Sequence, residues 1–231
     1  MRRMISITTD GGVQGLHLRF TGEHRSSMDD KATTTPDVAR FNRWAATYDE
    51  SVLQRWYFGP VHARMLDLLM QEAPEKPPRC IVDVGCGTGR LLRAVSVRWP
   101  EAQLIGVDPA GQMVSQADRL CPKATFKVAP AESLPLPGES ADIVLSSISF
   151  HHWADQERGL QEIARVLRHG GLFCLADHTF GLGKLFGEKV RNADQIRALV
   201  TGAGLSVRRH LALRVRLLLI TLAQKGSPVA S

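Results

Sequence analysis

The sequence predicts an α/β fold: a doubly wound mixed sheet of about seven strands, mainly parallel, with an antiparallel C-terminal hairpin. Three observations predict it. Short apolar bursts alternate with longer stretches of helical period, the pattern of βαβ units. A glycine-rich turn, Gly85-Cys86-Gly87-Thr88-Gly89, follows the first of those bursts. After residue 203 the rhythm changes, and two β-type segments follow each other with too few residues between them for a parallel crossover.

Residues 1–35 mix Gly, Thr, Ser and charged side chains without a sustained period, and they read as a flexible tail in which Met28 is an alternative start. From Val38 to Tyr57, the residues Phe41, Trp44, Ala45, Tyr48 and Val52 recur three or four apart, as an amphipathic helix requires. A second helix is expected over Pro60–Met70, with Pro60 in its first turn. Residues 36–74 then form a helical cover over a cleft. Pro74–Pro78 lead into a body expected to span residues 75–225, and residues 226–231 read as a flexible end.

Strands are expected at Cys80–Val84, Gln103–Val107, Thr125–Val128, Ile143–Ser146 and Leu172–Ala176, with Leu205–Leu211 and Val215–Ala223 as the hairpin. Leu91, Leu92, Val95 and Trp99 make one helix face, and Leu160, Ile163, Ala164 and Leu167 another. A further helix is expected around Ala193–Ala203. Helices between successive parallel strands imply right-handed crossovers and coverage of both sheet faces.

The chain has 231 residues, 44% hydrophobic and 23% charged, which suits one globular α/β domain with a modest extension. The formal charge of +6 is unevenly placed: residues 28–188 carry 17 basic and 20 acidic groups, whereas residues 189–231 carry eight and one. Arg208, Arg209, Arg214 and Arg216 therefore read either as a phosphate-binding stripe or, the favoured reading, as charges that protect a sheet edge. The four cysteines lack CxxC spacing, which excludes a patterned zinc site and points to a reduced, cytoplasmic setting. No secretory signal is evident, and the longest strongly apolar stretch, Val215–Ala223, contains an arginine and is too short to span a bilayer.

The glycine turn lets the backbone approach a ligand, and the helix start behind it offers N–H groups to an anion. Asp108 closes the second expected strand, where a carboxylate can accept from both hydroxyls of a ribose. Ala131-Glu132-Ser133-Leu134-Pro135-Leu136, Asp142-Ile143-Val144, and Leu160–Leu167 followed by Gly170-Gly171 complete an ordered set. In that set the chain resembles the class I S-adenosylmethionine-dependent methyltransferases, closest to the small-molecule type 11 group, over about residues 40–180.

The resemblance implies S-adenosyl-L-methionine as cofactor. Asp83 and Gly85 are similar to the group that engages the amino end of its methionine moiety. Cys86 lies between the glycines of the turn, and Gly87 and Gly89 resemble those that admit the cofactor closely. Asp108 looks like the ribose anchor, and Pro109 to Met113 resemble the segment beside the adenine. One departure is chemical: Ala129-Pro130 stands where the family commonly has Gly-Asp, and proline offers neither carboxylate nor N–H. Adenine recognition is then expected from the Ala131 backbone or from Glu132, unless Glu132 only supports the turn. His169, where the family usually has proline, is expected to affect only the turn.

Methyl transfer from a sulfonium needs alignment more than a universal catalytic side chain. An oxygen or carbon nucleophile still profits from a base, and His151 and His152 follow the fourth strand at the carboxyl end of the sheet. Either one reads as a base or as a determinant of shape. Asp177 and His178 make a less specific polar pair near the same rim. Tyr48, in the cover, resembles a tyrosine that shields the cofactor and joins the two histidines as a candidate. Trp44, Tyr48, Trp56, Phe150 and Trp153 are expected near the cleft mouth, which points to a small apolar or aromatic acceptor rather than nucleic acid, and to a monomer or homodimer. The alternatives are an RNA methyltransferase using the basic C-terminal region, an NAD-dependent oxidoreductase, and a catalytically silent cofactor-binding scaffold.

Overall fold

A computed structural model describes residues 35–50, 52–72, 76–179, 189–213 and 218–226. The expected tail up to residue 34, Met28, Arg214, Arg216, the start of the strand expected from Val215, and residues 227–231 lie outside them, as does most of the connection from Asp177 to Arg191.

Five strands, β1 (Cys80–Val84), β2 (Gln103–Asp108), β3 (Ala124–Val128), β4 (Ala141–Ser147) and β5 (Leu167–His178), run parallel. The hairpin of β6 (Leu205–Leu213) and β7 (Leu218–Lys225) is antiparallel, and β7 inserts beside β5 to give the order β3-β2-β1-β4-β5-β7-β6. β1 lies between β2 and β4, so the topological switch point falls at the carboxyl ends of β1 and β4.

Alternation along the strands sends side chains to two cores. Val82, Val84, Val144, Phe173 and Leu175 pack under α5 (Gln156–Val166) and α6 (Ala193–Gly202). Ile81, Ile143, Leu145 and Cys174 pack under α2 (Val52–Glu72) and α3 (Arg90–Arg98). Caps mark the helix starts that the sequence left unspecified. Asp155 accepts from Arg158 N at the start of α5, and Asn192 and Gln195 form a reciprocal capping box at the start of α6.

The N-terminal helices depart from expectation. α1 (Pro36–Trp44) ends early, a 3-10 turn follows at Tyr48–Glu50, and α2 then runs unbroken through Pro60 instead of starting there. Trp56 and Pro60, four residues apart, are both exposed, so the carbonyl that loses its partner at Pro60 lies on the solvent side of α2. Val61, Met65, Leu66 and Leu69 of α2 are core residues. Within the expected cover, α2 is thus a layer helix, while α1 and the 3-10 turn lie against α4 (Gly111–Leu120), where Val38, Phe41 and Tyr48 pack on Ala110 and Met113.

β5 also starts earlier than expected, at Leu167. A register shift against β4 between Ala141 and Ile143 accommodates Arg168–Gly171, with Gly170 at φ +77°. His169 secures this bulge by bonds to the Gly226 carbonyl (2.7 Å) and Glu139 (3.0 Å). At the β6 edge a second bulge brings consecutive Arg208 and Arg209 to one carboxylate, Glu72 of α2, at 3.3 and 2.8 Å. These two arginines are ion-paired to the fold, as edge charges rather than as an open stripe. No helix among the described residues is long and apolar enough to cross a membrane.

Candidate functional site

The glycine turn leaves β1 at the switch point and is pinned from below, with Gly85 N and Cys86 N both donating to Val107 O at 2.8 and 3.1 Å. Gly85 has φ +74°, and a Cβ there would lie 2.2 Å from Ser149 Oγ, so no other residue fits without displacing Ser149. Ser149 in turn donates to Val84 O (3.2 Å) and meets Ser146 Oγ (2.9 Å). The segment after β4 is therefore packed directly on the glycine turn.

Two buried carboxylates flank the turn. Asp108 accepts from Gly87 N (2.9 Å) and Ala110 N (2.8 Å), and burial raises its pKa to about 6 against the lowering effect of those two amides. Asp83 is 2% exposed, its Oδ1 is buried with no hydrogen-bond partner, and burial reinforced by the Asp108 charge pushes its pKa up to about 8. A buried acceptor without a donor is costly, and a cation brought beside it relieves that cost. The donor set thus fits an ammonium at Asp83 and hydroxyls at Asp108. Cys86 adds backbone rather than side-chain chemistry, since burial and the two carboxylates raise its thiol well above the ordinary value.

The other expected cofactor residues divide. Met113 is buried beneath α1, and Pro109 is exposed at the mouth of the β2–α4 connection. Ala131 is buried, while the Glu132 carboxylate accepts from Asp155 N at 2.8 Å and so holds the start of α5. Glu162 and Asp142, from the later motifs, are also structural. Glu162 accepts from Leu134 N and grips Arg165, and Asp142 ties Arg79 N and Cys80 N to Arg168.

Across the switch point the 3-10 turn Phe150–His152 brings His151 to Asp177 at the end of β5, with Nδ1 to Oδ1 at 2.6 Å and His151 N to Oδ2 at 2.8 Å. Both groups are buried, at 6% and 1% side-chain exposure. His152 meets a second carboxylate, Asp37 of α1, at 3.1 Å, and Asp37 also pairs with Arg40. The two imidazoles lie 4.0 Å apart, and Phe41 stands edge-on to His152. Tyr48 contacts Phe41 and Phe58, and Phe58 contacts His62. His62, buried and bonded to Ser147 Oγ, is held neutral: burial, helped by Arg90 and Arg93, pushes its pKa down to about 4.

Sequence reasoning found His151 and His152 but missed their partners and the buried His62. Asp177 was legible only as one of two polar residues after a strand, and Asp37 and His62 carried no signal, because each pairing spans a long stretch of chain. Phe150 and Trp153 correct the expected cleft mouth: both are core residues, 5.0 Å apart, and the missing side chain of Gly159 makes room for the Trp153 indole. Trp44 and Trp56 are exposed, at 51% and 74%.

Residues 82–175 match the family described as a methyltransferase domain, type 11. A malonyl-[acyl-carrier protein] O-methyltransferase of Geobacter sulfurreducens is 39% identical over 148 residues, covering 61% of this chain and 53% of that protein. An uncharacterized methyltransferase of Bacillus subtilis is 31% identical over 137 residues, covering 57% and 53%. The chain thus spans about half the length of the curated relatives it matches. Among solved structures, the putative methyltransferase of Haloferax volcanii, seen with the Trm112 methyltransferase activator, shares the fold. It has a TM-score of 0.68 at 22% identity, over 80% of this chain and 97% of that one. The insertion of antiparallel β7 beside β5 also sets this sheet apart from the 3-2-1-4-5-6 order of dinucleotide-binding oxidoreductases. With the glycine turn at the switch point and a methyltransferase-domain match across β1 to β5, this part of the chain is similar in sequence to methyltransferases and shares their fold.

Proposed function

We propose that this chain transfers a methyl group from S-adenosyl-L-methionine to a small, largely apolar or aromatic metabolite, with His151 as general base. The observation that carries this reading is the buried 2.6 Å pair of His151 and Asp177, in a segment packed on the glycine turn. When bound, the cofactor supplies an electrophilic methyl on a positive sulfonium. Asp83 then holds its ammonium, Asp108 its ribose hydroxyls, and the left-handed glycines admit it closely.

Asp177 accepts from Nδ1–H of His151, which fixes the tautomer with the lone pair on Nε2. Nε2 takes the proton of the acceptor hydroxyl or activated carbon acid, and the buried carboxylate stabilises the imidazolium that results. A carboxylate acceptor is already ionised at neutral pH and needs no such base. The Asp177–His151 pair therefore favours acceptors that must lose a proton. Phe41, Tyr48 and Phe58, in edge or tilted contact beside His152, support an aromatic-walled acceptor side.

The test is to incubate purified protein and methyl-labelled S-adenosylmethionine with a metabolite extract and, separately, with total RNA and with total protein. Label is expected in a small apolar product. Label confined to RNA or protein would replace the proposed acceptor class, and cofactor binding without any transfer would favour a silent scaffold.

A further inference from the structure

Asp49, in the 3-10 turn after α1, reaches across to the start of α3. Its Oδ1 accepts from Thr88 Oγ1 (2.8 Å) and Arg90 Nη2 (2.9 Å), and its Oδ2 accepts from Arg93 Nη2 (2.7 Å). Arg93 also donates from Nη1 to the Thr88 carbonyl at 2.7 Å. Both polar ends of Thr88, the hydroxyl and the carbonyl, are thus held by Asp49 and by the guanidinium that Asp49 itself binds. Thr88 is 2% exposed and lies between Gly87 and Gly89, both at positive φ.

Gly87, the next residue back, donates its N–H to Asp108. A short chain of contacts therefore runs from the α1 region through the glycine turn to the proposed ribose anchor. Burial alone would raise the Asp49 pKa. The Thr88 hydroxyl and the two guanidiniums outweigh it and hold the carboxyl below its ordinary value, so the contact is charged at neutral pH. The α1 region is also tied by Asn42 Oδ1, which accepts from Gln112 N at the start of α4, and by Asp37, which meets His152. Asp49 is the one that grips the turn itself.

We propose that Asp49 is a positioning residue for the cofactor site: it couples the order of residues 36–50 to the conformation of the Gly87-Thr88-Gly89 arch, so that the turn and the segment over it tighten and loosen together. This rests on the cofactor reading above, but the coupling belongs to the protein without ligand and is measurable there. Alignment by a residue that touches no ligand raises affinity through preorganisation of those that do.

The experiment compares wild type, Asp49→Asn, Asp49→Ala, Thr88→Val and the Asp49→Ala, Thr88→Val double variant in the full chain. Hydrogen exchange without cofactor is read at residues 36–47 and 85–89, and the KM for S-adenosylmethionine and kcat are then read separately. In Asp49→Ala, both segments should exchange faster by a similar factor, with the rest of the sheet unchanged. KM should rise on the order of tenfold while kcat at saturation stays within about twofold, since roughly one charge-assisted contact's worth of preorganisation is lost. Asp49→Asn keeps an acceptor for Thr88 and should fall between, and it serves if the alanine variant does not fold. Thr88→Val should add little to Asp49→Ala. Unchanged exchange at residues 85–89, or faster exchange at residues 36–47 alone, would overturn the coupling. Failure of wild type to bind S-adenosylhomocysteine would instead count against the cofactor reading and leave the exchange result to decide this one.

Discussion

The two halves of the site are built in different ways. At the ends of β1 and β2, the glycine turn, Asp83 and Asp108 form a unit of backbone amides and carboxylates drawn from 26 consecutive residues, numbers 83–108. At the ends of β4 and β5 the contacts are between side chains: Asp177 lies 26 residues from His151, with no motif joining them, and Asp37 lies 115 residues from His152. A local, backbone-dominated half leaves a spaced motif in the sequence. A half assembled from long-range side-chain pairs leaves only isolated histidines and aspartates.

The largest effect expected from this contrast is at Asp108. Asp108→Ala removes an acceptor of the turn that is also the proposed ribose anchor, and affinity for S-adenosylhomocysteine should fall about 100-fold or more by calorimetric titration. Because Asp108 also holds Gly87 N and Ala110 N, a melting curve should accompany the titration. Affinity within a few-fold of wild type would break the assignment.

Next is a paired test of the turn. Gly85→Ala places a methyl 2.2 Å from Ser149 Oγ at positive φ and should cost roughly 2–4 kcal/mol of stability in denaturant unfolding. Gly87→Ala meets nothing within 4 Å and should cost only about 1 kcal/mol, the left-handed backbone term. Equal losses would mean that the packing of Ser149 on the turn does not constrain it.

The elements of the parallel sheet were legible because buried strands and amphipathic helices repeat with periods that apolar residues cannot hide. The helix through Pro60 was not, since solvent on the Trp56–Pro60 face replaces the lost hydrogen bond and that replacement is invisible in a local pattern. The bulges at Arg168–Gly171 and Arg208 were equally hidden, because each is defined by register against a distant strand. In the site, Asp108 could be placed from its position at a strand end and Asp83 from the family resemblance, but the orphaned Oδ1 of Asp83 emerges only once the sheet closes around it.

A smaller effect follows from that closure. Asp83 has a folded pKa of about 8 against an ordinary 3.8, so its contribution to stability is full below about pH 4 and is lost as pH rises through 8. Asp83→Asn should flatten this dependence of the melting temperature on pH without ligand. A cation bound beside Asp83 favours its ionised form, so cofactor binding near pH 7 should release a fraction of a proton, detected as a dependence of calorimetric heat on buffer ionisation enthalpy. Asp83→Asn should abolish this release. An unchanged release in that variant would place the titrating group elsewhere.

The separation of the two halves is tested most directly by Asp177→Asn. The measurement is single-turnover methyl transfer to the labelled acceptor, set beside the dissociation constant for S-adenosylhomocysteine. The rate should fall by roughly 100-fold or more as the proposed base loses its orienting carboxylate, while the dissociation constant stays within about twofold of wild type. A rate close to wild type would remove His151 as the base, and an affinity loss matching the rate loss would show that the two halves act as one.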